Sequence, residues 1–190
     1  MSRQTFQETL SYIVADGTAL TAIARASMTQ GNAQMGRYIF GPNYFEVGKM
    51  IKLTAQGRIS CVITTPGTAR FDVAFNTVAN VDSGALNLNI VAKVNVPWWV
   101  EIVGTCRSIG SGTAATIFWF GNFSSEAVVG SALPTAGSNG TLNFSNGGVG
   151  ATAVGAGFDS TVSQTCDLYF TQTVSTGSIT LQQLKIEALN

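Results

Sequence analysis

Alternation with a period of two residues runs through most of this chain and leaves it few folds to choose from. Ile51, Leu53, Ala55, Gly57, Ile59, Cys61 and Ile63 fall on one parity, against Lys52, Thr54, Gln56, Arg58, Ser60 and Thr64 on the other. Successive side chains of a strand point to opposite faces, so this segment reads as a long half-buried strand, bent near Gly57. Thr65-Pro66-Gly67-Thr68 has turn chemistry, Pro presetting φ and Gly accepting positive φ, and beyond it Phe71, Val73 and Phe75 alternate with Arg70, Asp72 and Asn76. A second turn is expected over 80–84, followed by one strand in which Leu86, Leu88, Ile90, Ala92, Val94 and Val96 share a face. Pro97 lacks a ladder donor and should mark a bend or an edge before the strand 98–109. In that strand Trp98, Val100, Ile102 and Cys106 oppose Trp99, Glu101, Val103, Thr105 and Arg107.

After a turn at Gly110-Ser111-Gly112, Ala115, Ile117, Trp119, Gly121 and Phe123 oppose Thr116, Phe118, Phe120 and Asn122. Both faces carry aromatics, so the face with Phe118 and Phe120 has to be covered by a loop or a partner. Residues 136–157 are rich in Gly, Ser, Asn and Ala and read as a long loop region carrying one short strand at Thr141-Leu142-Asn143-Phe144. Two strands close the chain: Cys166, Leu168, Phe170, Gln172 and Val174 alternate, then, past Ser175-Thr176-Gly177, the apolar parity switches from Ile179 and Leu181 to Leu184, Ile186 and Ala188. A switch inside a run predicts a β-bulge near Gln182-Gln183. At the start, Phe6, Leu10, Tyr12 and Val14 suit a strand better than a helix, after an N-terminal arm at 1–5. A turn at Asp16-Gly17 and a loop over 27–36 come before Tyr38, Ile39 and Phe40. The sum is one all-β domain over 1–190, an antiparallel β-sandwich of eight or nine strands. A jelly roll is the preferred topology, with an immunoglobulin-like sandwich as the alternative.

Charge makes the surface unusual. Only 11% of the residues are Asp, Glu, Lys or Arg, against about 25% in an ordinary soluble domain. Ser, Thr, Asn, Gln and Gly stand in their place, and a neighbouring molecule can desolvate such a surface at low cost. Ten basic and ten acidic residues cancel without forming blocks, which argues against nucleic acid as a partner. No apolar run reaches the ~18 residues of a membrane span, and no apolar stretch follows Met1-Ser2-Arg3-Gln4 as in a secretory signal. Cys61, Cys106 and Cys166 are odd in number and far apart, and read as reduced core residues.

The chain has no histidine, which removes His-assisted nucleophiles and His-containing metal sites. Paired carboxylates, Asp159 with Asp167 or Glu46 with Glu101, are the remaining nominees for catalysis, and isolated acids near turns are more often solvated or paired structurally. Gly147-Gly148-Val149-Gly150 lacks the Lys and Ser or Thr of a phosphate loop. No catalytic, cofactor or metal residue is assigned, no cofactor is implied, and the chain is expected not to be an enzyme. Trp98 and Trp99 point to opposite faces, so at most one is core and the other meets solvent, a sugar ring or a neighbouring subunit.

Gly57-Arg58-Ile59-Ser60, Thr64-Thr65-Pro66-Gly67-Thr68, Asn95-Val96-Pro97-Trp98-Trp99, Thr105-Cys106-Arg107-Ser108-Ile109-Gly110 and the closing Phe158-Asp159-Ser160-Thr161 to Glu187-Ala188-Leu189-Asn190 resemble a family of small virion proteins of tailed bacteriophages. The resemblance spans about 8–190. It implies a structural role in the particle: a capsid decoration, or cement, protein on the capsid surface, assembled in the host cytoplasm. Such a protein would pack as a homotrimer on the major capsid protein. On that reading Trp99, Phe118 and Phe120 are the expected subunit contacts. The alternative is a tail-fibre or receptor-binding β-sandwich holding host surface glycan on an exposed tryptophan.

Overall fold

The structure, a computed structural model, describes residues 7–30, 36–62, 66–128, 141–145, 156–175 and 177–189. The N-terminal arm at 1–5, most of the 136–157 region and Gly147-Gly148-Val149-Gly150 lie outside them. The described chain is all β, in two antiparallel sheets. The first sheet runs in the order β1 (Glu8–Tyr12), β12 (Ser178–Ala188), β4 (Met50–Cys61), β8 (Lys93–Ser108), β9 (Thr116–Ser125), β10 (Thr141–Ser145). In the second, β2 (Ala26–Ser27) and β3 (Tyr38–Phe40) share the edge of β11 (Gln164–Gln172). Beyond β11 lies β5 (Thr68–Phe75), whose far edge is shared by β6 (Val78–Asp82) and β7 (Leu86–Asn87).

Taking β2 with β3 and β6 with β7 as broken single strands, and setting the β9–β10 hairpin aside, leaves four strands in each sheet. The first of these pairs with the last, the second with the seventh, the third with the sixth and the fourth with the fifth. That is one long antiparallel hairpin wrapped across two sheets, the jelly-roll path. The expected eight or nine strands become twelve segments among the described residues, because two strands are interrupted and β9–β10 widens one sheet.

Four local expectations need correction. The run 86–96 is not one strand: β7 stops at Asn87 and β8 begins at Lys93. Between them the Asn89 side-chain oxygen accepts the Val91 N–H at 2.9 Å, and Ile90 and Val91 are exposed. The chain is crossing from one sheet to the other there, so its alternation carries through a turn that local hydrogen bonding creates. The turn expected over 80–84 is displaced, since 80–82 belong to β6. The tight turn is Asn76-Thr77, where Asn76 takes φ 55°, a conformation asparagine tolerates. Pro97 sits inside β8, opposite Arg58. The β8–β9 ladder ends at Trp98 opposite Ser125, so the missing donor falls where β9 offers no partner. Asp16-Gly17, finally, runs alongside β12, with Gly17 N–H donating to the Leu181 carbonyl at 2.7 Å.

The bulge falls where the parity switch puts it. Leu181 faces Gly57 and Gln183 faces Gln56, which leaves Gln182 as the extra residue. A Cβ at Gly57 would stand 1.9 Å from the Thr180 carbonyl oxygen, so the bulged backbone requires glycine opposite it. Between the sheets, Trp98, Phe71, Phe123 and Phe170 form one aromatic cluster, and Phe40, Phe45, Phe75 and Phe158 another. Both buried indoles satisfy their N–H, Trp98 to the Thr180 carbonyl at 3.3 Å and Trp119 to Asn80 Oδ1 at 2.6 Å. Cys61, Cys106 and Cys166 are free thiols, all buried.

Candidate functional site on the outer face of the β4–β8–β9 sheet

Strand register turns the outer face of the first sheet into rows of cross-strand neighbours. One row reads Gln183, Gln56, Trp99, Ser124 across β12, β4, β8 and β9. The next reads Lys185, Thr54, Glu101, Asn122, and the one after it Glu187, Lys52, Val103, Phe120. Thr105 stands opposite Phe118 beyond that. Cross-strand side chains in one row lie close enough to interact, so the rows are the units of the site.

Trp98 and Trp99 separate as alternation demands: Trp98 is buried in the core and Trp99 is half-buried on the outer face. Trp99 lines an open groove of 640 Å3 with Gln56, Arg58, Pro97, Ser124, Glu126 and Gln183 around it. The Gln56 amide nitrogen donates to Gln183 Oε1. Arg58 donates to the Asn95 carbonyl at 3.2 Å, and Glu126 pairs with Lys93 at 3.3 Å.

Phe118 and Phe120 line a second, smaller hollow with Glu101, Val103, Thr105 and Arg107. Phe120 is 49% exposed, while the Arg107 guanidinium lies 5.3 Å from the centre of the Phe118 ring. The three residues expected as subunit contacts therefore share one sheet face but not one patch. The row between them is polar, and in it Glu101 forms an ion pair with Lys52 at 2.6 Å. Nearby, Glu187 is buried, which raises the pKa of its carboxyl. Lys185 at 2.8 Å and the Gln7 amide at 2.6 Å outweigh that effect and hold the pKa below the usual range.

The nominated acids have separate structural duties. Asp159 accepts from the Thr161 hydroxyl and N–H and from Gly112 N–H, which together lower its pKa and pin the 110–112 turn to the 159–161 turn. Asp167 is buried on β11, where Oδ1 accepts the Thr29 hydroxyl at 3.0 Å and Oδ2 stands 3.0 Å from Arg37 Nε. Burial pushes its pKa up, against the pull of Ser27, Arg37 and Thr29. The two carboxylates share no partner. Glu46 is exposed beside the Lys49 turn, whereas Glu101 belongs to β8. Among the described residues no group of three or more Cys, Asp or Glu side chains is arranged to hold a metal ion.

The outer face of the second sheet is different in kind. Arg25 makes a two-point contact to Asp72, with Nε at 2.8 Å from Oδ2, and lies 3.8 Å over the Tyr169 ring. Arg70 pairs with Asp82. Both guanidinium pKa values rise, chiefly through these carboxylate hydrogen bonds. Sequence reasoning marked Trp99 but missed Gln56, Arg58 and Gln183; only strand register brings those positions together. No family model matches the chain, and no curated protein or solved structure matches it.

Proposed function

We propose that the chain is a structural component of a bacteriophage virion: a capsid decoration protein that packs as a homotrimer on the head shell and catalyses no reaction. The observation that carries this reading is the Val103, Phe118, Phe120 patch on the outer face of β8–β9, apolar and partly open, on a molecule with 11% charged residues. Phe120 is the most open residue of the patch, and on a surface with so few charges a sister subunit covers it at little desolvation cost. The resemblance to small virion proteins supplies the setting, and the jelly roll is a fold that viral shells use. Holding capsomers together needs many modest contacts, each stabilised by roughly 25 cal/mol per Å2 of apolar surface removed from water, and no reactive group.

The second reading, a tail-fibre module holding host glycan, is favoured by the groove at Trp99. Light scattering of the purified protein, together with proteomics of purified particles, tests the first reading. A stable trimer that is also found in heads supports it. A monomer over the micromolar range that is missing from particles overturns it.

A further inference from the structure

We infer that the groove at Trp99 is a binding site for a short, neutral oligosaccharide. The inference deepens the second reading above, glycan held at Trp99, by naming the ligand class, and it stands apart from the decoration reading, since a saccharide site can serve a protein of the head or of the tail. Four observations point the same way. Trp99 is half-buried, with its neighbour Trp98 locked in the core by the bond to the Thr180 carbonyl, so the indole is held on a rigid strand. An aromatic face of this kind takes the C–H face of a pyranose ring while the ring's hydroxyls point outward.

Those hydroxyls need donors and acceptors beside the indole, and its row supplies them. Gln56 and Gln183 are primary amides, each with an acceptor oxygen and donor hydrogens. Their mutual bond uses the Gln56 nitrogen and the Gln183 oxygen, which leaves the Gln56 oxygen and the Gln183 nitrogen for a ligand. Ser124 and Arg58 extend the rim on either side.

The third observation is charge. The lining contains one cation, Arg58, and one anion, Glu126, which is already paired with Lys93, so the groove holds no cluster of like charge that would select an acidic or a basic ligand. The fourth is isolation from the apolar patch. Thr54, Asn122 and the Lys52–Glu101 ion pair separate Trp99 from Phe120, so a hydrophobic partner seated on the patch would not extend over the indole without desolvating that pair. The groove volume of 640 Å3 lies within the ~300–1,000 Å3 typical of small-ligand sites. The β-bulge contributes directly, because Gln182, the extra residue of the ladder, lines the groove with Gln183 while its amide donates to Asp16 Oδ2 at 3.2 Å.

The test is an array of immobilised neutral and acidic oligosaccharides probed with the intact protein. The strongest neutral binder is then titrated in solution against the native protein, Trp99→Ala, Trp99→Phe, Gln56→Ala and Phe120→Ser, following the indole N–H resonances. The inference expects a neutral oligosaccharide to shift the Trp99 indole resonance. It also expects Trp99→Ala to weaken binding about tenfold or more, Trp99→Phe to keep part of it, Gln56→Ala to weaken it less, and Phe120→Ser to leave it unchanged. Matching melting temperatures show that the variants fold, Trp99→Phe being the conservative check. No neutral binder, retention of only acidic glycans, or binding that survives Trp99→Ala overturns the inference. So does a change of oligomeric state on Trp99→Ala, which would make the groove a contact between copies.

Discussion

At the scale of single residues, glycine and a buried acid carry the sharpest consequences. Gly57→Ala would force a methyl group against the Thr180 carbonyl across the bulge, a backbone contact with no flexible end to yield. We expect it to destabilise the fold by about 1–3 kcal/mol, seen as a lower denaturant midpoint; an unchanged midpoint would contradict the bulge. Asp167 behaves oppositely to most carboxylates. Burial raises its folded-state pKa above the unfolded value, with Arg37 and the Ser27 and Thr29 hydroxyls only partly offsetting it. The folded state therefore holds this proton more tightly than the unfolded chain. Its favourable contribution is complete below the ordinary aspartate range and is lost as pH rises through the raised value. Asp167→Asn removes that dependence, so its stability relative to the native protein should grow as pH rises from about 4 towards 7. Denaturant titrations across that range check this, and a difference that stays flat or shrinks would contradict it.

At the scale of strands, alternation was a faithful guide to which side chains face the core and a poor one to where the chain turns. The faces of β4, β9, β12 and of β8 from Trp98 onward, and the bulge in β12, were legible, because each depends on the parity of neighbouring residues alone; Val94, expected on the apolar face, is exposed where the β4–β8 register shifts. The break at 88–92 was not, since Asn89 builds a local turn inside a pattern that still reads as a strand. Nor was the Asn76-Thr77 turn, which has neither Gly nor Pro. The site was half legible for the same reason. Parity exposes Trp99, Phe118 and Phe120, but only register sets Gln56 and Gln183 beside the first and a polar row between it and the other two. One prediction belongs to this scale. Phe120→Glu puts a charge on the exposed apolar patch and, if the proposed trimer forms through that patch, should leave the protein monomeric in light scattering. It should also leave the unfolding free energy within about 0.5 kcal/mol, as for other surface substitutions. A trimer that survives the substitution would move the interface elsewhere.

At the scale of the molecule, the two outer faces divide the work. The second sheet carries charges tied into pairs, Arg25 over the buried Asp72 and Arg70 with Asp82. The first sheet presents an aromatic groove and an apolar patch between sparse ion pairs. So few charges and one such face are what the proposed subunit needs, with the proposed saccharide groove left open beside the contact. The most direct test of the proposed virion role is a cryo-electron-microscopy density map of intact phage particles purified from cultures that express the chain. The account predicts jelly-roll density in trimers on the outside of the head, with the Val103, Phe118 and Phe120 patch turned against sister subunits. Heads that lack the chain, or copies there whose Phe120 patches point freely into solvent, would contradict it.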